Sequence, residues 1–127
     1  MEKQRHLLIA EDDLEMRNLL RRTLAHEGYV VDTAINGREA LEFLRRHGED
    51  VDVLITDLRM PEITGERLLS EALSILPNLK VIVITGYSQL EQHLELMKKG
   101  AYEYLTKPFK IPDLLDVIDR AAAEAAR

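Results

Sequence analysis

Residues 80–86 of the chain read KVIVITG and contain its clearest β-strand. β-Branched apolar residues follow one another there without the alternation of a half-buried strand, and a glycine ends the run. Such a run is typical of a strand that is buried on both faces of a parallel sheet.

Shorter runs of the same kind recur along the chain, separated by helical patterns. Further strands are predicted at residues 7–10, 29–34, 51–56 and 102–106. Helices are predicted at residues 14–27, 68–76, 90–99 and 113–127, and another ends at Gly48. The first helix has an apolar face of Met16, Leu19, Leu20 and Leu24. Strict alternation of five strands with five helices predicts an α/β domain of three layers over residues 1–127, with helices on both faces of a parallel sheet.

Composition narrows the class of function. The 127 residues include 17 Lys and Arg against 23 Asp and Glu, a net charge of −6, which disfavours direct binding to nucleic acid or an anionic membrane. The absence of cysteine excludes disulfides and thiol catalysis. No apolar run approaches the ~20 residues that span a bilayer, and the first residues lack the apolar core of a secretion signal. We therefore expect a cytoplasmic protein without membrane partners.

Chemically active residues follow several of the predicted strands. Glu11-Asp12-Asp13 follows the first strand, Asp57 the third, Thr85 ends the fourth and Lys107 follows the fifth. The carboxyl ends of parallel strands meet at one edge of a sheet, where ligands bind. We therefore expect several carboxylates, a hydroxyl and an ammonium group to lie together.

Clustered carboxylates repel one another, and a hard cation with oxygen ligands relieves that repulsion. Mg²⁺ suits such a site because it accepts one or two carboxylates together with waters and a phosphate oxygen. An aspartate can itself act as the nucleophile and form an aspartyl-phosphate. The pattern therefore points to phosphoryl transfer to Asp57, with Lys107 and Thr85 contacting the phosphoryl oxygens.

Four fragments occur in order along the chain: LIAED at 8–12, ITDLRMP at 55–61 with a glycine at 65, VITG at 83–86 and YLTKPF at 104–109. With these fragments the chain resembles the receiver domain of two-component response regulators over essentially its whole length. The stretch 98–109 is most similar to receivers attached to enhancer-binding transcription activators. The resemblance implies a flavodoxin-like (βα)5 fold with strand order 2-1-3-4-5.

The resemblance also implies roles for the site residues. Asp57 is then the phosphoacceptor, supplied by a phosphohistidine on a sensor histidine kinase or phosphotransfer protein. Asp12, Asp57 and the backbone carbonyl of Arg59 would ligate Mg²⁺, with Glu11 acting on the metal through water. Lys107 would bind the new phosphoryl group and precede a cis proline bond.

A switch follows from the same resemblance. Thr85 moves toward the phosphoryl group and Tyr104 rotates inward, which alters the surface of the fourth helix, fifth strand and fifth helix. Arg59 and Tyr87 flank the phosphoryl group and tune its lifetime. An output domain or separate target would read that surface, and a phosphorylation-dependent homodimer would use the fourth helix. Catalysis would be limited to the domain's own phosphorylation and dephosphorylation.

Two other functions stay open. A receiver-like binding scaffold would need no phosphorylation. A Mg²⁺-dependent phosphatase with an aspartyl nucleophile would carry a second aspartate two residues after the first, a position that Arg59 occupies here. The sequence names neither the kinase, the signal nor the target.

Two further interpretations concern residues beside these motifs. We predict that Asp13 caps the first helix, because aspartate is a favoured residue at that position. The four histidines show no ligand spacing and are predicted to lie on the surface: His6, His26, His47 and His93.

Overall fold

Five parallel strands form one sheet in the computed structural model, in the order β2-β1-β3-β4-β5. The structure describes residues 4–86 and 89–125. The strands are β1 (His6–Ala10), β2 (Val30–Ala34), β3 (Val53–Asp57), β4 (Lys80–Thr85) and β5 (Glu103–Thr106). The helices are α1 (Leu14–His26), α2 (Gly37–His47), α3 (Gly65–Ile75), α4 (Leu90–Lys98) and α5 (Ile111–Ala125), with a short 3₁₀ turn at Gly48–Asp50. The predicted alternation and strand order are confirmed.

The helices divide between the two faces of the sheet. One core cluster joins the sheet to α1 and α5 through buried residues such as Leu20, Leu24 and Ile118. The other joins it to α2, α3 and α4, with Leu44 and Leu68 among its buried members. Apolar side chains therefore cover both faces, which explains the unbroken apolar runs of the central strands.

Several element boundaries differ from the sequence prediction for local reasons. Helix α3 begins at Gly65, three residues before the predicted start, because the Thr64 hydroxyl accepts a hydrogen bond from the Arg67 N–H and caps it. Strand β3 begins two residues late, because the 3₁₀ turn closes through a bond from Val51 N–H to the Gly48 carbonyl. The prediction for Leu19 was wrong, since that side chain is exposed.

The start of α5 also lies upstream of its predicted position. The helix begins at Ile111, and its first backbone bonds reach from Asp113 and Leu114 back to the Lys110 carbonyl. Pro112 fits in this first turn because its missing N–H would have no partner within the helix.

No helix within 4–86 and 89–125 has both the length and the apolar character needed to cross a bilayer.

Candidate functional site

Two carboxylates and one ammonium group come into contact at the carboxyl ends of β1, β3 and β5. Lys107 Nζ donates a hydrogen bond of 2.8 Å to Asp57 Oδ2 and another of 3.1 Å to Glu11 Oε1. Glu11 follows β1, Asp57 ends β3, and Lys107 follows β5. The sequence predicted that these three residues would meet, and the structure brings them together.

Strand alternation explains why the Glu11 and Asp57 side chains lie on the same face of the sheet. Glu11 and Asp57 each lie two residues beyond an isoleucine, Ile9 and Ile55, that belongs to the core beneath α1 and α5. Side chains two residues apart on a strand share a face, so both carboxylates continue that buried row beyond the end of the sheet. The Glu11 side chain is consequently only 4% exposed, and that of Asp57 13%.

A third carboxylate completes an acidic cluster. Oxygen atoms of Glu11, Asp12 and Asp57 all lie within 4.8 Å of one another, and Asp12 is exposed to solvent. A set of oxygen donors with one face open to water fits a hard divalent cation such as Mg²⁺, which keeps several of its waters. The donor set therefore matches the cation that the sequence predicted.

Burial and the neighbouring charges shift the pKa values of Glu11 and Lys107. Burial, with a smaller effect from the nearby Asp57 charge, raises the pKa of Glu11 to about 7. Burial alone would lower the pKa of Lys107, but its hydrogen bonds and charge interactions with Asp57 and Glu11 outweigh that effect and raise it. Lys107 is therefore held as a cation between two acidic groups.

The connection from β3 to α3 fixes the backbone around Asp57. The Arg59 N–H donates to Asp57 Oδ1 at 3.2 Å, and the Gly65 N–H donates to the Leu58 carbonyl at 2.8 Å. A Cβ atom on Gly65 would lie 2.2 Å from the Asp57 carbonyl oxygen, so this close approach requires glycine. The Arg59 residue itself is exposed.

Thr85 and Tyr104 lie on the opposite face of the sheet from the Glu11 and Asp57 side chains. Asp57 pairs with Ile84 in the sheet, and Thr85 is the next residue along β4 and is fully buried. Tyr104 pairs with Val83, which shares the face of Thr85, and both Val83 and Tyr104 belong to the core beneath α2, α3 and α4. The two predicted switch residues therefore share one side of the sheet.

The Tyr104 ring is nearly buried in this structure. It is 8% exposed and stacks on His93 of α4, with ring centroids 4.7 Å apart and planes inclined by 11°. Burial raises the pKa of the Tyr104 hydroxyl, although a backbone hydrogen bond with Gln89 opposes this effect. The tyrosine is thus packed directly against the fourth helix.

The peptide bond between Lys107 and Pro108 is cis, as the resemblance implied. The Lys107 N–H donates to the Thr85 carbonyl at 2.7 Å, so the start of the β5–α5 connection is tied to the end of β4. This bond helps to aim the lysine side chain at the acidic cluster.

Other sequence interpretations have mixed outcomes. Asp13 caps α1 as predicted, since its carboxylate accepts from the Glu15 N–H. The surface prediction was wrong for His6, which is half-buried and paired with Asp32, and for His93. Tyr87, predicted to flank the phosphoryl group, lies outside the described residues.

A comparison with known protein families found a match that includes the residues of the acidic cluster. The model of the response regulator receiver domain matches residues 7–119, a range that contains the acidic cluster and the lysine. The chain belongs to this family. Receiver domains are signalling modules of two-component systems. They are generally not enzymes, and they generally bind Mg²⁺.

Relatives and solved structures agree with this assignment. The domain is 37% identical to the transcriptional regulatory protein GlrR of Escherichia coli (strain K12) over 98% of this chain and 28% of that protein. It is 37% identical to the DNA-binding transcriptional regulator NtrC of the same strain over 89% of this chain and 24% of that protein. The receiver thus spans about a quarter of the length of these curated relatives.

Among solved structures, a response regulator receiver domain protein of Clostridium thermocellum matches with a TM-score of 0.91 and 32% identity, covering 96% of this chain and 97% of that one. A CheY-like receiver domain protein of Methanospirillum hungatei JF-1 matches with a TM-score of 0.90 and 30% identity, covering 98% of each chain. The family, its flavodoxin-like fold and its place in two-component signalling are therefore established for this receiver domain.

Proposed function

We propose that residues 1–127 act as one receiver domain that accepts a phosphoryl group on Asp57 from a phosphohistidine of a sensor histidine kinase or phosphotransfer protein. The observation that carries this proposal is the 2.8 Å contact between Lys107 and Asp57 at the edge of a cluster of three carboxylates. This arrangement pairs the Asp57 carboxylate with an ammonium group, orients it through the Arg59 N–H and leaves it partly exposed to solvent.

The chemical step forms one bond and breaks another. An Asp57 carboxylate oxygen attacks phosphorus, and the phosphorus–nitrogen bond of the donor breaks, with its electron pair remaining on the histidine ring. Lys107 lies 2.8 Å from the Asp57 carboxylate, so its charge can pair with the phosphoryl oxygens as they arrive. Thr85 would donate its hydroxyl to the same group.

Four groups would hold Mg²⁺: the carboxylates of Glu11, Asp12 and Asp57, and the backbone carbonyl of Arg59. When bound, the cation would neutralise charge on the oxygens of the phosphoryl group that Asp57 accepts. The mutual proximity of the three carboxylates, within 4.8 Å, supports this ligand set.

The switch would work through the face of the sheet that Thr85 and Tyr104 share. Phosphorylation adds about −1.5 to −2 charges and three acceptor oxygens at Asp57. We expect Thr85 to respond to this group and Tyr104 to change its packing against His93. Helix α4 would then shift together with β5 and α5, because the tyrosine ring stacks directly on it.

An output domain or downstream target would read this altered surface. Helix α4 carries exposed apolar side chains at Leu90, Leu94 and Met97, spaced four and three residues apart on one helical face. That stripe supports docking of a partner or of a second copy of the receiver after phosphorylation. The names of the relatives support an output in transcriptional regulation. We place this activity in the cytoplasm, in keeping with a chain that contains no cysteine.

Labelling with acetyl phosphate and Mg²⁺, followed by mass spectrometry of the intact protein, tests the assignment. The parent domain should gain one phosphoryl group and Asp57→Ala none. Asp13→Asn is the matched control, because asparagine also caps helices well and the variant changes a neighbouring acidic residue. Labelling that persists in Asp57→Ala would reject Asp57 as the acceptor.

Two further measurements separate the alternatives. The sedimentation coefficient and the amide NMR spectrum should change when beryllofluoride and Mg²⁺ are added. A scaffold that needs no phosphorylation would show no change in either measurement. Sustained turnover of p-nitrophenyl phosphate would indicate a phosphatase instead.

A further inference from the structure

The side chain of Arg17 reaches back from α1 to the loop that carries Glu11 and Asp12. Its Nη1 donates a hydrogen bond of 2.9 Å to the Glu11 carbonyl oxygen and a longer one of 3.4 Å to the Asp12 carbonyl oxygen. Arg17 is half-buried, and it lies one helical turn beyond the cap residue Asp13. The guanidinium group thus bridges two successive peptide units.

These two peptide units flank the Cα atom of Asp12. The Glu11 carbonyl belongs to the planar unit that joins residues 11 and 12, and the Asp12 carbonyl belongs to the next one. Fixing the orientation of both planes fixes the two backbone dihedrals of Asp12, and these set the direction of its Cβ atom. Arg17 therefore restrains the direction in which the exposed Asp12 side chain leaves the backbone.

Other contacts in the loop hold Glu11 and the peptide unit that joins Asp12 to Asp13. The Glu11 N–H donates to the Ala34 carbonyl at 3.1 Å, and Glu11 Oε2 accepts from the Asp13 N–H at 3.2 Å. These bonds anchor both sides of the turn to β2 and to the start of α1. Arg17 adds a 2.9 Å bond to the peptide unit that joins Glu11 to Asp12, and with it both units beside Asp12 are held.

The type of acceptor is as informative as the geometry. The Arg17 guanidinium donates to the neutral carbonyl oxygens of the turn, so these two hydrogen bonds leave the Glu11 and Asp12 carboxylates available to other partners. An arginine is suited to this role because its Nη1 amino group carries two N–H bonds and can donate to both carbonyls.

We propose that Arg17 is a positioning residue for the cation site, holding Asp12 in the orientation in which its carboxylate faces Glu11 and Asp57. This inference rests on the proposed function, because it assumes that the acidic cluster binds Mg²⁺. The residue lies outside the motifs that identified the family, and the sequence alone gave no reason to select it.

The test compares Arg17→Gln and Arg17→Lys with Arg22→Gln. Arg22 is exposed on the same helix, and within the described part of the chain its side chain donates to that helix alone, from Nε to the Asn18 carbonyl at 3.3 Å. Both glutamine variants remove one positive charge from α1, so they match in their long-range effect on a cation. Calorimetric titration with MgCl₂ measures affinity, and hydrogen exchange of the Asp13 amide in Mg²⁺-free protein measures the order of the loop.

Arg17→Gln should weaken Mg²⁺ binding about tenfold, as is common when a group that orients a metal ligand is lost. It should also speed exchange of the Asp13 amide in the metal-free protein. Arg17→Lys should fall between Arg17→Gln and the parent, because lysine keeps the charge and the hydrogen-bond donors but lacks the rigid planar geometry of the guanidinium group. Arg22→Gln should match the parent in both measurements.

Parent-like Mg²⁺ affinity and parent-like exchange in folded Arg17→Gln would overturn the inference, whereas parent-like values in Arg17→Lys alone would support it as rescue by a conservative replacement. Tighter binding in both glutamine variants would overturn it as well, because removal of charge would then be the dominant effect. Failure of the parent domain to bind Mg²⁺ would instead reject the proposed metal site, while the exchange measurement would still report on Arg17.

Discussion

Replacing Glu11 with glutamine should change how the stability of the metal-free domain depends on pH. The parent side chain is only 4% exposed, and burial raises its pKa from the ordinary value of 4.5 to about 7. Between these two pH values the folded protein binds more protons than the unfolded chain. Its free energy of unfolding therefore falls as pH rises through this range.

The size of this effect follows from the same two values. A difference of one pKa unit corresponds to 1.36 kcal/mol, so ionised Glu11 costs the folded state up to about 3 kcal/mol above pH 7. Glutamine resembles the neutral carboxyl group in size and hydrogen bonding. Glu11→Gln should therefore exceed the parent in stability by up to about 3 kcal/mol at pH 8 and equal it near pH 4.5.

Urea unfolding followed by circular dichroism, in EDTA and at several pH values from 4.5 to 8, measures this difference. Glu42→Gln is the control, because Glu42 is exposed on α2 and its replacement should change stability by less than about 0.5 kcal/mol at every pH. Direct NMR titration of the Glu11 carboxyl carbon should give a midpoint near 7. A midpoint near 4.5, or a variant less stable than the parent at pH 8, would refute the reasoning.

Two further substitutions test the backbone around the site by urea unfolding. Gly65→Ala should lower the free energy of unfolding by about 3 kcal/mol, because its Cβ would lie 2.2 Å from the Asp57 carbonyl oxygen. Gly86→Ala, with open space around the new methyl group, should cost less than about 0.5 kcal/mol, and equal losses in the two variants would contradict this account. Thr64→Ala should cost about 1 kcal/mol through loss of the α3 cap. The exposed mid-helix change Ser74→Ala should not destabilise, and parent-like stability of Thr64→Ala would show that the cap is dispensable.

Helix starts show where local sequence reasoning reached its limit. Apolar periodicity located α3 but placed its start at Leu68, because the first turn contributes little to a buried stripe. The Thr64 hydroxyl sets the true start through its bond to the Arg67 N–H. The periodicity likewise assigned Leu19 to the buried face, although the packing of α1 on the sheet leaves it exposed.

The histidines show that residue spacing cannot predict contacts between separate elements. Their spacing could not show that His93 stacks on Tyr104 or that His6 pairs with Asp32. Those contacts join residues 11 and 26 positions apart, and neither follows from helical or strand periodicity.

The order of strands and helices and the residue types at the strand ends were determined by the sequence itself. Period-2 and period-3.6 patterns are local properties, and parallel strands place their carboxyl ends at one edge in any α/β sheet. The cation preferred by a group of carboxylates also follows from residue type alone.

Only the tertiary structure decided how the site is held and charged. Burial of Glu11 beneath α1, the position of Lys107 between two carboxylates, and the reach of Arg17 to two carbonyls depend on distances across separate elements. Desolvation and hydrogen-bond geometry are properties of the packed chain, and a linear pattern contains neither.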